Sequence, residues 1–192
     1  MTPTYCGLVS NMIYATLNLL LGLTYTSRWF LAMGAYYGYI GLMRLAVVSH
    51  EKSAQRNDRS LLRSIGTAVI VLGVILAGVV AWTAEEHRKK AYPPGILFLI
   101  AAGTIFLVGW AIRSMLVSRK DTAVMPVALR NISTASAGGA LLSLEFSVIR
   151  TFWDVSAEGA VALEMVSGAV VFLWIVYIGV GLIRDKGQKE RT

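Results

Sequence analysis

The sequence predicts an all-α protein, a polytopic transmembrane bundle of six spans arranged as three hairpins. The chain of 192 residues is 56% hydrophobic and only 15% charged, whereas soluble domains average about 25% charged residues. The mean hydropathy of +0.62 agrees with this, and several apolar runs exceed about 18 residues, too many for a soluble core. Because spans and short connections use nearly all of the chain, we expect one transmembrane domain over residues 1–192.

The first span is expected at about residues 5–23 and carries one polar stripe. Asn11, Tyr14 and Asn18 recur at i, i+3 and i+7, so they share one face of a helix. The stripe fits either hydrogen bonding to a neighbouring helix or the lining of a polar cavity. The N-terminus lacks the basic segment of a signal peptide, so we expect this span to be retained. Cys6 is the only cysteine, which excludes an intramolecular disulfide.

Small residues mark several of the later spans. Gly34 and Gly38 form a GxxxG pair in the second span, and Gly73 lies on a similar face of the third. Such faces let helix backbones approach closely, so these glycines, and Gly138 in the fifth span, are predicted to pack against other helices. The spans after the first are expected at about residues 29–49, 61–82, 96–117, 131–150 and 160–183.

A set of polar and aromatic residues marks the second span and the turn before it: Ser27, Trp29, Phe30, the pair Tyr36-Tyr37 and the pair Met43-Arg44. This arrangement resembles that of uncharacterised six-span bacterial integral membrane proteins. The resemblance covers mainly the first two spans. It implies a six-span topology and no particular activity.

The fifth span carries polar groups on two sides. At 100° per residue, one side of the helix holds Thr134, Gly138 and Glu145. The other side holds Ser136, Ser143, Ser147 and Arg150. A helix with polar groups on both sides cannot show much of its surface to lipid. We therefore expect this span in the middle of the bundle.

Two carboxylates, Glu145 in the fifth span and Glu164 in the sixth, are the sharpest chemical features. At 1.5 Å per residue both lie roughly 8–10 Å below the same membrane surface, where antiparallel neighbours would face each other. An ionised carboxylate at that depth costs several kcal/mol, and two close together leave a proton shared or exchangeable. The pattern indicates a proton- or cation-coupled site. Alternatively, each carboxylate pairs with an arginine, such as Arg150, or reaches water.

Enzymatic functions fit the sequence poorly. The pair Glu85-Glu86 near His87 suggests an intramembrane metalloprotease, but zinc would need histidines within spans. Both histidines, His50 and His87, lie in connections. The chain has no GxSxG sequence or glycine-rich phosphate loop, and its basic patches lack interleaved aromatic residues. We therefore expect no enzyme, and no cofactor, metal or nucleic-acid partner.

Basic residues predict the orientation. Six spans put both termini on one side, and by the positive-inside rule that side is cytoplasmic and faces the anionic lipids of the cell membrane. It holds 13 of the 18 basic residues, namely Arg44, Lys52, Arg56, Arg59, Arg63, Arg113, Arg119, Lys120, Arg130, Arg184, Lys186, Lys189 and Arg191. An aromatic belt is expected at the opposite surface, formed by Tyr25, Trp29, Phe30, Trp82, Tyr92, Phe152 and Trp153.

These features favour a small secondary transporter with its site among spans 1, 5 and 6. Glu145 would bind the proton or cation beside Glu164, and Asn18 and Ser143 would orient the ligand. The alternative is a non-transporting membrane subunit or scaffold. The small-residue faces and the short loops support this hypothesis, and in it the two carboxylates have a structural role only. A homo-oligomer or a partner membrane protein is compatible with both.

Overall fold

The computed structural model describes residues 3–51, 58–83, 93–117, 123–152 and 157–184. They form six helices: α1 (Pro3–Thr24), α2 (Arg28–Glu51), α3 (Asp58–Thr83), α4 (Pro94–Val117), α5 (Val124–Phe152) and α6 (Ala157–Arg184). Each helix is long and apolar enough to cross a membrane. The described residues contain no strand, so the predicted all-α class and the six spans are confirmed.

Three residues connect α1 to α2. The Ser27 N–H donates to the Gly22 carbonyl at 3.0 Å, which closes the end of α1. Thr26 adopts a φ of 49°, in the left-handed region that residues other than glycine seldom occupy. This reversal directs α2 back along α1, so the two helices pack as an antiparallel pair.

The principal helix pairs do not follow the order of the chain. α1 packs against α2, but α3 packs mainly against α6, and α4 mainly against α5. Only the first of the three expected hairpins is therefore among the principal pairs, although α5 and α6 also touch each other. The expected pairing of the third and fourth spans is replaced by a pairing of the third with the sixth.

The crossing of α3 and α6 explains this pairing, because two glycines bring the helix backbones into contact. A Cβ atom on Gly66 would lie 2.9 Å from the Gly179 carbonyl oxygen, and one on Gly179 would lie 2.9 Å from the Gly66 carbonyl oxygen. Farther along, the Cβ position of Gly73 lies 3.1 Å from Ile175 of α6. Close packing of this kind is a main source of attraction between helices in lipid.

The other glycines predicted to pack differ in their surroundings. The Cβ position of Gly34 lies 2.6 Å from Leu19 of α1, and that of Gly138 lies 3.2 Å from Val171 of α6. Gly38 has nothing within 4 Å of its Cβ position, so the contact expected there is not formed within the described residues. Residues four apart differ by about 40° around a helix, and this rotation carries Gly38 away from the neighbour that Gly34 meets.

α5 is the most enclosed helix. In its most apolar stretch of 18 residues 78% are buried, compared with 22% in the corresponding stretch of α6. It touches α2, α4 and α6 and, less extensively, α1 and α3. This agrees with the central position expected from its two polar sides.

Helix contacts place Pro3 and Arg184 at the same end of the bundle, because α1 and α2, α2 and α5, and α5 and α6 each run antiparallel. That end also holds most of the described arginines, namely Arg44, Arg59, Arg63, Arg113, Arg130 and Arg184. The opposite end holds Arg28, whose guanidinium lies 5.2 Å from the centre of the Trp82 ring.

The aromatic belt expected at that opposite end is only partly present. Trp82 and Phe152 are exposed, as a belt requires, but Trp29 and Phe30 are fully buried. The Trp29 ring centroid lies 4.4 Å from that of Phe146 in α5. Trp29 and Phe30 therefore belong to the protein core, because neighbouring helices cover them and keep them from contact with lipid. Two further expected members of the belt, Tyr92 and Trp153, lie outside the described residues.

Candidate functional site

One face of α5 carries a row of buried serines. Ser133, Ser136, Ser143 and Ser147 are spaced by three, seven and four residues, which keeps them on one side of the helix. All four are almost completely inaccessible to solvent. Ser147 donates to its own helix, to the Ser143 carbonyl at 2.7 Å. Ser133 likewise donates to the Leu129 carbonyl at 2.8 Å. Ser133, Ser136 and Ser143 also meet polar residues of α1 and α2.

The polar stripe of α1 faces this row. Asn11 is fully buried, and its Oδ1 accepts a hydrogen bond of 2.9 Å from the Ser136 hydroxyl. Asn18 is also buried, but its Nδ2 donates within its own helix, to the Tyr14 carbonyl at 2.7 Å. The stripe predicted from the sequence is thus directed inward along its whole length, and only part of its hydrogen-bonding capacity is used.

Tyr14, the middle member of the stripe, reaches α4 and α5. Its ring lies against Gly103 of α4, which has no side chain to obstruct it. Its hydroxyl approaches the side chains of Thr104 and Ser143 without forming a hydrogen bond of standard geometry. The Thr104 hydroxyl instead donates to the Ala140 carbonyl at 3.1 Å.

Two tyrosines of α2 donate hydrogen bonds to backbone carbonyls of α5. The Tyr36 hydroxyl donates to the Ala135 carbonyl at 2.8 Å, and the Tyr37 hydroxyl donates to the Ser136 carbonyl at 3.3 Å. The Tyr36 ring lies 2.6 Å from the Cβ position of Gly139, so a side chain at that position would displace it. These bonds hold α2 and α5 in a fixed register.

Arg44 of α2 is the unexpected member of this region. The sequence places it among the basic residues of the membrane surface, but only 2% of it is exposed. Its Nη2 donates to the Ser133 hydroxyl at 2.8 Å, and its guanidinium lies against Gly7 of α1. The side chain therefore extends into the bundle, because Gly7 leaves room for it.

We call these residues the polar cluster: Asn11, Tyr14, Asn18, Arg44, Thr104, Ser133, Ser136 and Ser143. From Ser133 to Ser143 it extends about 15 Å along α5, or half the thickness of the hydrocarbon core. Five of its buried atoms have no hydrogen-bond partner among the described residues, namely Asn11 Nδ2, Tyr14 Oη, Asn18 Oδ1, Arg44 Nε and Ser143 Oγ. An unsatisfied polar group in lipid costs several kcal/mol, and of these five atoms Tyr14 Oη and Ser143 Oγ approach each other.

The two carboxylates lie on the other side of α5, toward α6. Glu145 is half-buried and lies close to the Ser167 side chain, and Glu164 is near enough to interact with it electrostatically. Glu164 is almost completely buried. We call Glu145 and Glu164 the carboxylate pair. Their proximity follows from the antiparallel packing of α5 and α6 at equal depth.

The structure thus divides the four residues that the sequence assigned to one site. Ser143 faces α1 and α4, whereas Glu145 faces α6, because residues two apart on a helix point in nearly opposite directions. Asn18 belongs to the polar cluster and Glu164 to the carboxylate pair. Sequence reasoning missed Arg44, Thr104 and Ser133 as members of the site. Ser133 continues the spacing of Ser136 and Ser143, and that spacing was the available signal.

Some residues considered in the sequence fall outside the described part of the chain. They are Glu85, Glu86, His87 and the side chain of Arg150. Among the described residues, no group of three or more histidine, cysteine, aspartate or glutamate side chains is placed to hold a metal ion.

Comparison with known proteins adds no family to this description. No protein-family model matches the chain. No curated protein matches it either.

Proposed function

We propose that this multi-pass membrane protein is a small secondary transporter that couples movement of a polar solute to a proton or cation. The single observation that supports it is the polar cluster with its five unpartnered buried atoms. Groups that served only to join helices would satisfy one another, because an unpaired polar atom is expensive in lipid. A solute or water that enters and leaves the cluster would satisfy these atoms for part of the cycle.

The carboxylate pair supplies the coupling ion site in this proposal. Two nearby carboxylates repel each other when both are ionised, and a proton or a small cation removes the repulsion. α5 lies between the pair and the polar cluster and contributes to both. A shift of α5 on ion binding would therefore change the polar cluster directly.

A second candidate is a non-transporting subunit that packs against another membrane protein or a second copy. Five of the described glycines have nothing within 4 Å of their Cβ positions, namely Gly38, Gly78, Gly95, Gly109 and Gly181. Gly78, Gly109 and Gly181 are exposed on the outer surfaces of their helices. Open small residues of this kind suit contact with another helix in the bilayer.

Flux in reconstituted vesicles tests the transporter. Purified protein is placed in liposomes that contain a pH-sensitive dye, and inward gradients of acetate, lactate, phosphate, alanine and glycine betaine are imposed in turn. Relative to protein-free vesicles, which report the passive entry of undissociated acids such as acetic acid, the parent should change the internal pH with at least one solute. Glu145→Gln keeps the shape and hydrogen bonding of the side chain but cannot release a proton, so it should lose that response.

Glu158→Gln is the matched control, because Glu158 is an exposed glutamate in the first turn of α6. It should behave as the parent does. Equal responses in the parent and in Glu145→Gln would remove Glu145 from the coupling mechanism. A parent without a response to any of these solutes, or to sodium and potassium gradients, would favour the non-transporting subunit.

A further inference from the structure

Arg44 carries a full positive charge into the bundle without a described counter-ion. Only 2% of the residue is exposed. The acidic side chains within the described residues are Glu145, Glu158 and Glu164, and all three lie toward the opposite end of the bundle. A buried cation without an anion is strongly unfavourable, and buried charges in proteins are normally paired.

Apart from the Ser133 hydroxyl, which accepts from Nη2 at 2.8 Å, the polar groups placed near this charge on α1 and α4 include two further hydrogen-bond donors. The Arg44 Nε–H has no acceptor, and neither has the Asn11 Nδ2 amide. Asn11 lies one turn beyond Gly7, against which the guanidinium packs, at a rise of about 6 Å along α1. The Trp110 indole nitrogen lies 3.2 Å from the Cβ position of the same Gly7. A guanidinium and an indole N–H donate and never accept.

Four helices contribute to this place at a similar depth. Gly7 lies four residues from the start of α1, Arg44 seven from the end of α2, and Trp110 seven from the end of α4. Ser133 lies nine residues from the start of α5. These helix ends all belong to the end of the bundle that holds Pro3. The guanidinium is therefore about two helical turns inside, roughly 10 Å from that end.

We infer that Arg44 binds a small monovalent carboxylate, of the size of acetate, where α1, α2, α4 and α5 meet beside the Asn11 amide. A guanidinium presents paired N–H groups that match the two oxygens of a carboxylate. The anion would neutralise the buried charge and accept from the Nε–H and the Asn11 amide. The inference rests on the proposed transporter, whose solute class it names, but binding is measured without any flux.

Thermal unfolding in a neutral detergent tests the inference. Lipid-free protein is titrated with sodium acetate against sodium gluconate at constant ionic strength. At an acetate concentration about 100 times Kd, the unfolding midpoint of the parent should rise by about 5–11 °C. Arg44→Gln should remove this rise, and Arg63→Gln, which deletes an exposed arginine at the same end of the bundle, should keep it.

Asn11→Asp keeps the test decisive if Arg44→Gln does not fold. The aspartate retains the oxygen that Ser136 donates to and supplies an internal carboxylate one turn from the guanidinium. It should abolish the acetate response and raise the midpoint in gluconate. An undiminished acetate response in Asn11→Asp, or an equal response in Arg44→Gln and the parent, would overturn the inference.

Cys6 gives a second readout, because it is the only cysteine and interacts electrostatically with Arg44. Acetate should slow its modification by N-ethylmaleimide at least threefold, and an unchanged rate would count against the inference. A midpoint that rises only with phosphatidylglycerol, and not with acetate, would assign Arg44 to a lipid head group and overturn the free-carboxylate proposal. If acetate binds but no vesicle flux is seen, the transporter fails and the anion site stands.

Discussion

The tyrosines of α2 and the glycines of α5 show how single residues fix the centre of this bundle. Tyr36 and Tyr37 donate to backbone carbonyls of α5 that already belong to a helix. Gly139 lets the Tyr36 ring come close enough to do so. In a membrane such interhelical hydrogen bonds contribute about 1 kcal/mol each, and here they hold α2 beside the segment of α5 that contains Ser133 and Ser136.

The space at Gly139 gives the first prediction. Gly139→Val should displace the Tyr36 ring and lower the stability by about 1–3 kcal/mol, the usual cost of overfilling a packed site. Gly109→Val is the matched control, since Gly109 also lies within a helix and has nothing within 4 Å of its Cβ position. Thermal unfolding in detergent compares the two. Equal midpoints would show that Tyr36 moves aside without cost.

The residues of the site were predictable to different degrees. Asn11, Tyr14 and Asn18 could be predicted to share a face, because their spacing alone fixes it. Arg44 could not be predicted as buried, because an arginine near the end of a span normally extends to the interface. Its side chain points inward because Gly7 of α1 leaves room for it. This contact joins α1 and α2, so it could not be predicted from the sequence of either helix alone.

At the scale of helices, the contact between α3 and α6 depends on two glycine positions. Gly179 touches the backbone of α3, whereas Gly181 has nothing within 4 Å of its Cβ position. Gly179→Leu should therefore separate the helices and lower the unfolding midpoint by several degrees, and Gly181→Leu should leave it unchanged. Both variants replace a glycine of α6 by leucine, so the change in helix propensity is the same in each and cancels when their midpoints are compared. A similar loss in both variants would contradict the assigned crossing.

Gly38→Leu separates contacts within the chain from contacts between copies. Gly38 has no neighbour within 4 Å of its Cβ position, so the variant should retain the unfolding midpoint of the parent. Size-exclusion chromatography with light scattering then measures the oligomer. A smaller oligomer at an unchanged midpoint would assign this face of α2 to a second copy. A lower midpoint in a protein that stays monomeric would contradict the open surface.

The number, length and class of the helices followed from the sequence, but their pairing did not. The length and apolar composition of a segment determine whether it can cross a bilayer, and both can be read from the sequence of that one segment. Pairing depends on how the small residues of two helices fit together. The packing face that carries Gly73 could be predicted from the third span, yet nothing in that span shows that its partner lies in the sixth.

At the scale of the whole molecule, the charge distribution predicts the orientation. The end that holds Pro3 and Arg184 also holds most of the described arginines, and we propose that it is cytoplasmic. A reporter that is active only in the cytoplasm should be active when fused after Thr192. A tag inserted at Glu86 should react with an impermeant reagent on intact cells. Reaction of that tag only after permeabilisation would reverse the orientation.

The pairing of α3 with α6 also bears on how the protein is made. α3 ends at Thr83 and α6 begins at Ala157, so at about 5–20 residues per second the ribosome needs roughly 4–15 seconds to move from one to the other. During that time the third span is in the membrane without its principal neighbour, and its glycine face is open to lipid or to other newly made proteins. A ribosome that stalls before the sixth span would leave an incomplete chain with that face exposed, which quality-control proteases could recognise.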